Sequence, residues 1–443
     1  MRSIVWLRRD LRLRDNVALA QAARAGDEVV PVFVLDPQIL RSERIGEPLT
    51  AVFFSALSGL RHSLRTHGSD LVILEGEPHA ELIRLANRLG AQAIYFNADY
   101  EPGALRRDAM AKRAFEDQRL DVHVCLDHIY LGANEVMRED GEPYKVFTPY
   151  RRAWLRTMHA SPRRPVPSLQ LVTKRLISRE TAGRSIPIPQ TNWQAPPIDE
   201  EHALRALDRF SSGRGMREYA AMRDFPAADA TSHLSAHLRA GTIGIRTVFA
   251  RAFECGGDVF ASELIWREFY QTILRQFPHV ADGAFTEKGT RIPWRRAPAE
   301  FDAWCEGRTG YPIVDAAMRT LNATGWMHNR LRMIVASFLT KHLLIDWRKG
   351  ERYFEQRLID ADMAQNNGGW QWCASTGTDA APYFRIFNPV LQSKKFDPDG
   401  AFIRAAIPEL RDASAKEIHE PRNPIVDHAF ARGRALAAYG SVY

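Results

Sequence analysis

Glu263, Trp266 and Arg267 carry side chains that could together form one binding surface. They lie three and four residues apart, so on a helix they share a face. A carboxylate beside an indole ring and a guanidinium suits a flat, hydrogen-bonding ligand such as a nucleobase. A surface ion pair that flanks a core tryptophan explains the same spacing. Taken alone, this second interpretation is the simpler one.

A second polar group lies on the predicted helix that contains the sequence NRLRM. Asn329 and Met333 share one face of this helix, and Arg330 and Arg332 lie on the adjoining faces. The pattern is typical either of a ligand-binding wall or of a solvated basic helix.

The sequence ATSHLSAHL places the hydroxyl groups of Thr231, Ser232 and Ser235 where a helix would begin. Hydroxyls and free backbone N–H groups at a helix start suit a diphosphate, although most such clusters only cap their own helix. Tyr219 and Arg223, a short distance earlier in the chain, could close over the same anion.

Asp360 and Asp362 precede Asn366, Asn367 and a Gly-Gly-Trp-Gln-Trp run. Acidic residues and asparagines around glycines could form a binding site or equally a turn.

Tryptophan is concentrated in the same part of the chain. Seven of the ten tryptophans fall between residues 266 and 372: Trp266, Trp294, Trp304, Trp326, Trp347, Trp370 and Trp372. A tryptophan-rich core explains any one of them. Together with buried polar side chains that need partners, they favour an aromatic ligand.

These residues must be positioned by regular elements. In the first 130 residues, β-branched runs predict strands at Ser3–Leu7, Val29–Leu35, Asp70–Leu74, Ala93–Phe96 and Val122–Leu126. Helical periodicity predicts helices at Asn16–Ala25, Leu49–Thr66, His79–Leu89 and Ala104–Asp117. The alternation predicts a doubly wound, parallel α/β domain. This domain has neither a G-x-G-x-x-G turn nor a P-loop, so the common dinucleotide and NTP motifs are absent.

The middle of the chain is rich in Pro, Arg, Ser and Thr between residues 161 and 197, which opposes regular structure. Helical patterns dominate afterwards, for example at residues 262–275 and 312–321. The sequence therefore predicts an α/β domain at 1–130, a linker at 131–200 and an all-helical domain at 201–443.

Composition adds few constraints. The chain has 443 residues, 26% of them charged, with a net charge of +7 that permits a polyanionic partner but does not demand one. No apolar run is long enough to span a bilayer, and the N-terminus has no secretory signal pattern. Four scattered cysteines suggest neither a disulfide framework nor a zinc site. We expect a cytoplasmic protein.

Five blocks in order resemble the photolyase and cryptochrome family: RDFPAADATSHLS, ELIWREFY, TGYPIVDAAMR, GWMHNRLRM and NNGGWQWCASTGTDAAPYFRIFNP. The resemblance extends over nearly the whole chain and is nearest to the bacterial class I enzymes for cyclobutane pyrimidine dimers. It implies an α/β antenna domain and a helical domain that holds FAD. It further implies a monomer that acts on ultraviolet-damaged DNA, single- or double-stranded, in which excited, reduced anionic FAD donates an electron to a flipped-out dimer.

The resemblance also assigns roles to residues. The FAD contacts would be Tyr219, Thr231, Ser232, His233, Leu234, Ser235, Phe260, Arg267, Asn329, Arg332, Asp360, Ala361, Asp362 and Asn366, the last near the flavin nitrogen that distinguishes its redox forms. The pocket for the flipped dimer would be formed by Glu263, Trp266, Asn329, Met333 and Trp372. The damaged strand would contact Arg223, Glu263, Trp266, Arg330, Arg385 and Gln392. Trp294, Trp347 and Trp370 match the three tryptophans that pass an electron from the surface to the flavin.

Some positions refine this expectation. Relatives that repair the (6-4) photoproduct have histidines where this chain has Asn329 and Met333, so cyclobutane dimers are the expected substrate. The chain departs from many relatives at His233, where they have Arg, and from some at Phe260, where they have Trp.

The antenna chromophore is predicted from four residues of the α/β domain. Gly103 and Ala104 replace the Asn-Glu pair with which folate-type sites hold their pterin. Asp99 and Glu101 instead resemble members that bind a deazaflavin. We therefore expect a deazaflavin or another flavin rather than methenyltetrahydrofolate.

Two other hypotheses stay open. A cryptochrome-like photoreceptor would bind FAD and signal, and a nucleotide-binding protein built on the α/β domain would have no enzymatic activity. The Glu263, Asn329 and Met333 set argues against the first, and the helical blocks argue against the second.

Overall fold

The computed structural model describes residues 1–166 and 169–443. Pro167 and Ser168, part of the predicted linker, lie outside the described residues. The described helices are, in chain order, α1 (Val17–Ala25), α2 (Pro37–Leu40), α3 (Glu47–Thr66), α4 (Pro78–Leu89), α5 (Pro102–Asp117), α6 (Phe147–Ala160), α7 (Leu169–Thr173), α8 (Arg179–Ala182), α9 (Glu200–Ser212), α10 (Gly215–Met222), α11 (Ser235–Ala240), α12 (Ile245–Glu254), α13 (Asp258–Gln276), α14 (Glu287–Thr290), α15 (Pro298–Cys305), α16 (Pro312–Thr324), α17 (Asn329–Ser337), α18 (Trp347–Arg357), α19 (Met363–Ala374), α20 (Pro389–Phe396), α21 (Ala401–Ala406) and α22 (His428–Gly440).

The chain forms two compact units, each assembled from separate stretches. The first contains residues 1–144, 148–217 and 232–276, and the second contains residues 145–147, 218–231 and 277–443. Because compact units are defined by contacts, they need not follow the chain order. The domain boundaries at residues 130 and 200 stay a prediction.

The first unit contains a five-stranded parallel sheet. Its strands are β1 (Arg2–Leu7), β2 (Glu28–Leu35), β3 (Val72–Glu75), β4 (Ala93–Asn97) and β5 (Asp121–Cys125), in the spatial order β3-β2-β1-β4-β5. Ser3 is in register with Val29 on one side and with Ala93 on the other. The central strands are buried on both faces, as expected where crossover helices cover a parallel sheet. The predicted doubly wound α/β fold is confirmed, with element ends that differ by a few residues.

One edge of this sheet is covered by the segment that was predicted as a linker. Val29 forms a parallel bridge with Leu176, and the backbone N–H of Ile186 donates to the carbonyl oxygen of Ile73 at 3.3 Å. Covering an edge strand satisfies backbone groups that would otherwise be open to another chain.

Helices α11, α12 and α13 belong to the same unit as the sheet. Gly241, at the end of α11, has φ 71°, and a Cβ there would lie 1.8 Å from the backbone oxygen of Arg9. Asp127 forms ion pairs with Arg12 at 2.7 Å and Arg246 at 3.6 Å, and all three side chains are buried. The close backbone approach and the buried charges fix these helices against the loops that follow β1 and β5.

The second unit is helical in its described part and contains α14 to α22. A π-helical turn, Phe338–His342, follows α17 directly. The core includes the fully buried rings of Trp304, Trp347 and Phe338. The predicted helical C-terminal region is therefore confirmed. No helix in the described part of the chain is long and apolar enough to cross a membrane.

Candidate functional site

The predicted surface of Glu263, Trp266 and Arg267 lies on α13 in the first unit, where all three side chains are half-buried. The Trp266 ring packs edge-on against Phe269 with centroids 5.6 Å apart. Arg267 donates to the backbone oxygen of His128 at 2.9 Å, and its guanidinium lies 2.8 Å from Nε2 of the same residue. The guanidinium is thus fixed to the segment after β5.

Sequence reasoning missed Glu268, a fully buried carboxylate on the same helix. It accepts hydrogen bonds from the backbone N–H groups of Tyr130 and Leu131 and from Nε1 of Trp154 at 2.7 Å. Burial raises the pKa of Glu268 to about 7, although the three donors act in the opposite direction. These bonds hold α13 in place. The one sequence signal is that Glu268 follows Leu264 by a helical turn, on an apolar face.

The hydroxyl-rich segment 231–235 is divided between the two compact units. Thr231 belongs to the second unit, and the rest belongs to the first. Ser232 Oγ accepts from the backbone N–H of Leu234 at 3.3 Å, while Leu234, the N-cap of α11, makes no capping bond with its own side chain. Ser235 is exposed.

In the second unit, Arg332 and Asp360 form a pair. Nη2 of Arg332 donates to both carboxylate oxygens, at 2.8 and 3.1 Å, and Nε donates to the backbone oxygen of Met327 at 2.8 Å. Asp360 is buried, as are Ala361 and Asp362 next to it. Asp362 caps α19 by accepting from a backbone N–H two residues ahead.

Asn366 follows one turn into α19. Its amide nitrogen donates to the backbone oxygen of Glu351 at 3.0 Å, which orients the amide. Within the described residues the amide oxygen has no protein donor. This oxygen can therefore accept a hydrogen bond from a ligand.

Asn329 and Met333 lie on α17, and Trp372 lies on α19. The two helices are in contact where Sγ of Cys373 lies 3.9 Å from the backbone oxygen of Met333. Three of the five predicted dimer-pocket residues are thus on adjacent helices of the second unit. Glu263 and Trp266 are in the first unit, so the complete pocket stays a prediction.

Two of the side chains that are predicted to contact the damaged DNA strand are held by other side chains of the protein. Arg330 forms an ion pair with Asp224 at 2.8 Å and lies 4.4 Å above the ring of Phe396. Arg223 lies 5.3 Å from the ring of Tyr219 in α10. Both guanidinium groups are half-buried and fixed before any ligand arrives.

Two further residues that are predicted to contact the damaged strand lie after α19. Arg385 is exposed and stands 5.7 Å from the ring of Phe387. Gln392 is half-buried, and its Oε1 has no hydrogen-bond partner in the described part of the chain. An amide oxygen without a partner is costly unless a ligand or water supplies a donor.

The predicted relay tryptophans differ in burial. Trp370 and Trp347 are buried, whereas Trp294 is half-buried and packs edge-on against Tyr439 with centroids 6.0 Å apart. The tryptophan ring in contact with Trp370 is that of Trp304, at 6.0 Å. Sequence reasoning gave Trp304 no role, and nothing in its spacing indicates this contact.

Asp99 and Glu101 follow β4 at the carboxyl end of the sheet, beside β1, where the strand order reverses. Ligands of open α/β sheets bind at such points. Arg9, after β1, pairs with Glu101 at 2.7 Å and with Asp99 at 3.4 Å. Burial acts to raise the pKa of Asp99, but the positive charges of Arg9 and its neighbours lower it overall. The two carboxylates are therefore already paired with a cation.

Comparison with known proteins identifies the family to which this chain belongs. A model described as DNA photolyase matches residues 3–169, and one described as the FAD binding domain of DNA photolyase matches residues 260–441. The deoxyribodipyrimidine photo-lyase of Salmonella typhimurium is 42% identical, over 98% of each chain. The chain belongs to the DNA photolyase family.

Solved photolyase structures share the fold. The bacterial class III photolyase of Agrobacterium tumefaciens superposes with a TM-score of 0.90 at 37% identity, over 99% of this chain and 97% of that one. The archaeal photolyase of Sulfolobus tokodaii, described with two FAD molecules, has a TM-score of 0.82 at 32% identity, over 100% of both chains.

The residues present fit the FAD of the photolyase family. The Arg332 and Asp360 pair offers a cation and a buried carboxylate, and Asn366 offers an oriented acceptor, as the polar edge of a flavin ring requires. The start of α11 offers backbone N–H groups without a side-chain cap and the hydroxyls of Ser232 and Ser235, which suit phosphates.

The two residues that depart from the photolyase pattern, His233 and Phe260, differ in their exposure to solvent. His233 has φ 52°, a left-handed conformation that is uncommon for residues other than glycine, and its side chain is exposed. Phe260 is buried, edge-on against Phe210 at 5.0 Å. A change at 233 therefore alters the surface of segment 231–235, whereas a change at 260 alters the core.

Proposed function

We propose that this member of the photolyase family repairs cyclobutane pyrimidine dimers in ultraviolet-damaged DNA in a light-dependent reaction. FAD, when bound, supplies the light-driven electron that splits the dimer and takes it back afterwards. The observation that supports the substrate most directly is the packing of α17 on α19. It brings Asn329 and Met333, in place of the (6-4)-type histidines, next to the helix of Trp372.

The chain's own residues have separable tasks in this proposal. Glu263 hydrogen-bonds a pyrimidine of the flipped dimer, where it stabilises the charge that develops on the base. Trp266 and Trp372 provide flat apolar walls, and Met333 excludes water beside them. These side chains bind and orient the dimer and do not themselves carry electrons.

Arg332, Asp360 and Asn366 hold the flavin edge in fixed geometry. Asp360 is buried and paired with Arg332, which fixes the position of its carboxylate. Trp294, Trp347 and Trp370 carry electrons inward from the surface, a task separate from repair.

Arg223, Arg330, Arg385 and Gln392 bind the damaged strand. Arg330 is held by Asp224 and Phe396, so little side-chain entropy is lost when it meets a phosphate. Phosphate contacts of this kind make DNA binding fall with rising salt.

For the antenna we propose a deazaflavin or another flavin, bound where Asp99 and Glu101 pair with Arg9. Gly103 and Ala104 open α5 without a side-chain donor or acceptor for a pterin. Titration of the purified protein tests this proposal, and stoichiometric binding of methenyltetrahydrofolate would contradict it. We further propose that the protein works as a monomer in the cytoplasm, where its four free cysteines stay reduced.

The deciding experiment measures dimer loss from a thymine-dimer oligonucleotide under blue light and in darkness, with FAD-loaded, chemically reduced protein. We expect loss only in the light. A parallel oligonucleotide with a (6-4) photoproduct should be left unrepaired. Flavin-loaded protein that leaves the cyclobutane dimer intact in the light would favour the photoreceptor hypothesis instead.

A further inference from the structure

Helix α6 has one buried and one exposed face. Its sequence, FTPYRRAWLRTMHA, contains no acidic residue. Tyr150 and Trp154 are fully buried, and Trp154 donates to Glu268. The exposed face carries Arg152, Arg156 and His159, which are four and three residues apart and therefore on one side of the helix. We refer to these three residues as the α6 basic face.

The cations of this face are not neutralised by the protein. Neither Arg152 nor Arg156 forms an ion pair or a hydrogen bond within residues 1–166 and 169–443. Arg163, a few residues later, does form an ion pair, with Glu135. Arginines aligned at one helical turn, without an acid on the helix, form a local excess of positive charge.

The start of α6 is hydrogen-bonded to two residues that lie, in the sequence, between residues of the proposed DNA site. The carbonyl oxygen of Lys145 accepts a hydrogen bond from Oγ1 of Thr378, and the backbone N–H of Phe147 donates to Asp379 at 3.0 Å. Thr378 and Asp379 lie between Trp372 of the dimer pocket and Arg385 of the strand-binding set. Arg152 follows Phe147 by five residues, or about 7.5 Å of helix axis.

We propose that the α6 basic face binds the phosphates of DNA that flanks the dimer. This inference rests on the proposed function and adds a DNA contact outside the dimer pocket. The partner is the sugar-phosphate backbone, because the face presents the N–H donors of two arginines and one imidazole, while the larger aromatic rings of the helix, Tyr150 and Trp154, are buried. Contacts of this kind add affinity without adding lesion specificity.

The test compares two double variants of the full-length, FAD-loaded protein. Arg152→Gln/Arg156→Gln removes two charges from the α6 basic face. Arg106→Gln/Arg113→Gln removes two charges from exposed positions of α5 and is the matched control for net charge. Affinity is measured over a range of salt concentrations, for a long duplex with a central dimer and for a short single strand that holds only the dimer and its neighbours.

Each phosphate contact contributes about 0.9 to the salt slope, or about eightfold in affinity per decade of salt. For the α6 variant, the slope of log affinity against log salt concentration should become shallower by about 2 on the long duplex. At 0.1 M salt its affinity for this duplex should fall at least about tenfold. The short strand should bind both variants equally, and the repair rate of bound dimers should be that of the unsubstituted protein.

The outcomes separate the two proposals. If the unsubstituted protein binds and repairs the long duplex but the α6 variant matches its control, this inference is wrong and the proposed function stands. If the α6 variant loses affinity equally for long and short DNA, its effect is general and the flanking contact is also wrong. If the unsubstituted protein fails to bind dimer-containing DNA at all, both proposals fall.

Discussion

The unsubstituted protein should gain stability as the pH rises above neutrality, and replacing Lys341 with methionine should abolish this gain. Lys341 lies in the π-helical turn Phe338–His342 and is 1% exposed. Its ammonium donates to Oγ of Ser375 at 2.8 Å and stands 3.5 Å above the ring of Tyr439. No carboxylate pairs with it in the described part of the chain. Burial lowers the pKa of Lys341 from 10.5 to about 7.

The direction of the pH effect on stability follows from the number of protons that each state binds. Above pH 7 the folded protein loses the Lys341 proton, whereas the unfolded chain keeps it up to about pH 10.5. The unfolded state therefore binds more protons in this range, so the free energy of unfolding rises with pH. One pKa unit corresponds to about 1.4 kcal/mol, which gives a gain of about 2 kcal/mol between pH 7 and pH 9. Below pH 7 the contribution of this group to the slope fades, because both states hold the proton.

The measurement is urea unfolding at several pH values, followed by tryptophan fluorescence, for the unsubstituted protein and Lys341→Met. Their difference isolates Lys341 from other titrating groups. Lys416→Met, at an exposed position, is the control and should leave the pH dependence unchanged. Parallel pH curves for Lys341→Met and the unsubstituted protein would refute the reasoning, since they would mean that Ser375, the Tyr383 carbonyl and the Tyr439 ring keep the lysine charged.

Three further predictions concern the relay, the dimer pocket and the fold. Trp370→Phe should keep the packing but lose the readily oxidised indole, so transient absorption should show greatly slowed light-driven flavin reduction, while protein reduced beforehand with dithionite repairs normally. Glu263→Ala should show the reverse, with normal photoreduction and a loss of dimer binding on the order of 1 to 3 kcal/mol, and a wild-type repair yield would contradict its assignment. Gly241→Ala should destabilise the first unit by at least about 3 kcal/mol, because its Cβ would overlap a backbone oxygen at a positive φ, and an unchanged melting temperature would exclude that clash.

The sheet and its crossover helices could be predicted because their signals are local. Runs of β-branched residues such as Val29–Leu35 and helical periods such as Leu49–Thr66 are visible in any short window. The candidate site residues were assigned from motif blocks, and their roles stay a prediction; the pairing of Arg332 with Asp360 is a contact that the blocks do not specify.

Other features depend on contacts between distant parts of the chain. Glu268 is stabilised in the core by Tyr130, Leu131 and Trp154, all far earlier in the sequence, which donate hydrogen bonds to it. The contact of Trp304 with Trp370 likewise depends on how α15 and α19 pack. No local window contains either partner, so neither the buried carboxylate nor the second tryptophan could be inferred from spacing.

The buried charges that join the sheet to α12 also determine when, during synthesis on the ribosome, the first unit can complete its contacts. Oδ2 of Asp15 accepts from the backbone N–H and hydroxyl of Thr247, and Asp127 pairs with Arg246. At about 5 to 20 residues per second, Arg246 is synthesised about 6 to 24 s after Asp127. During that interval all five strands exist, but Oδ2 of Asp15 lacks Thr247, and Asp127 has Arg12 as a partner without Arg246. The contacts between the loops of the sheet and α12 therefore stay incomplete until the α12 segment leaves the exit tunnel, and chaperones have that time to bind the nascent chain.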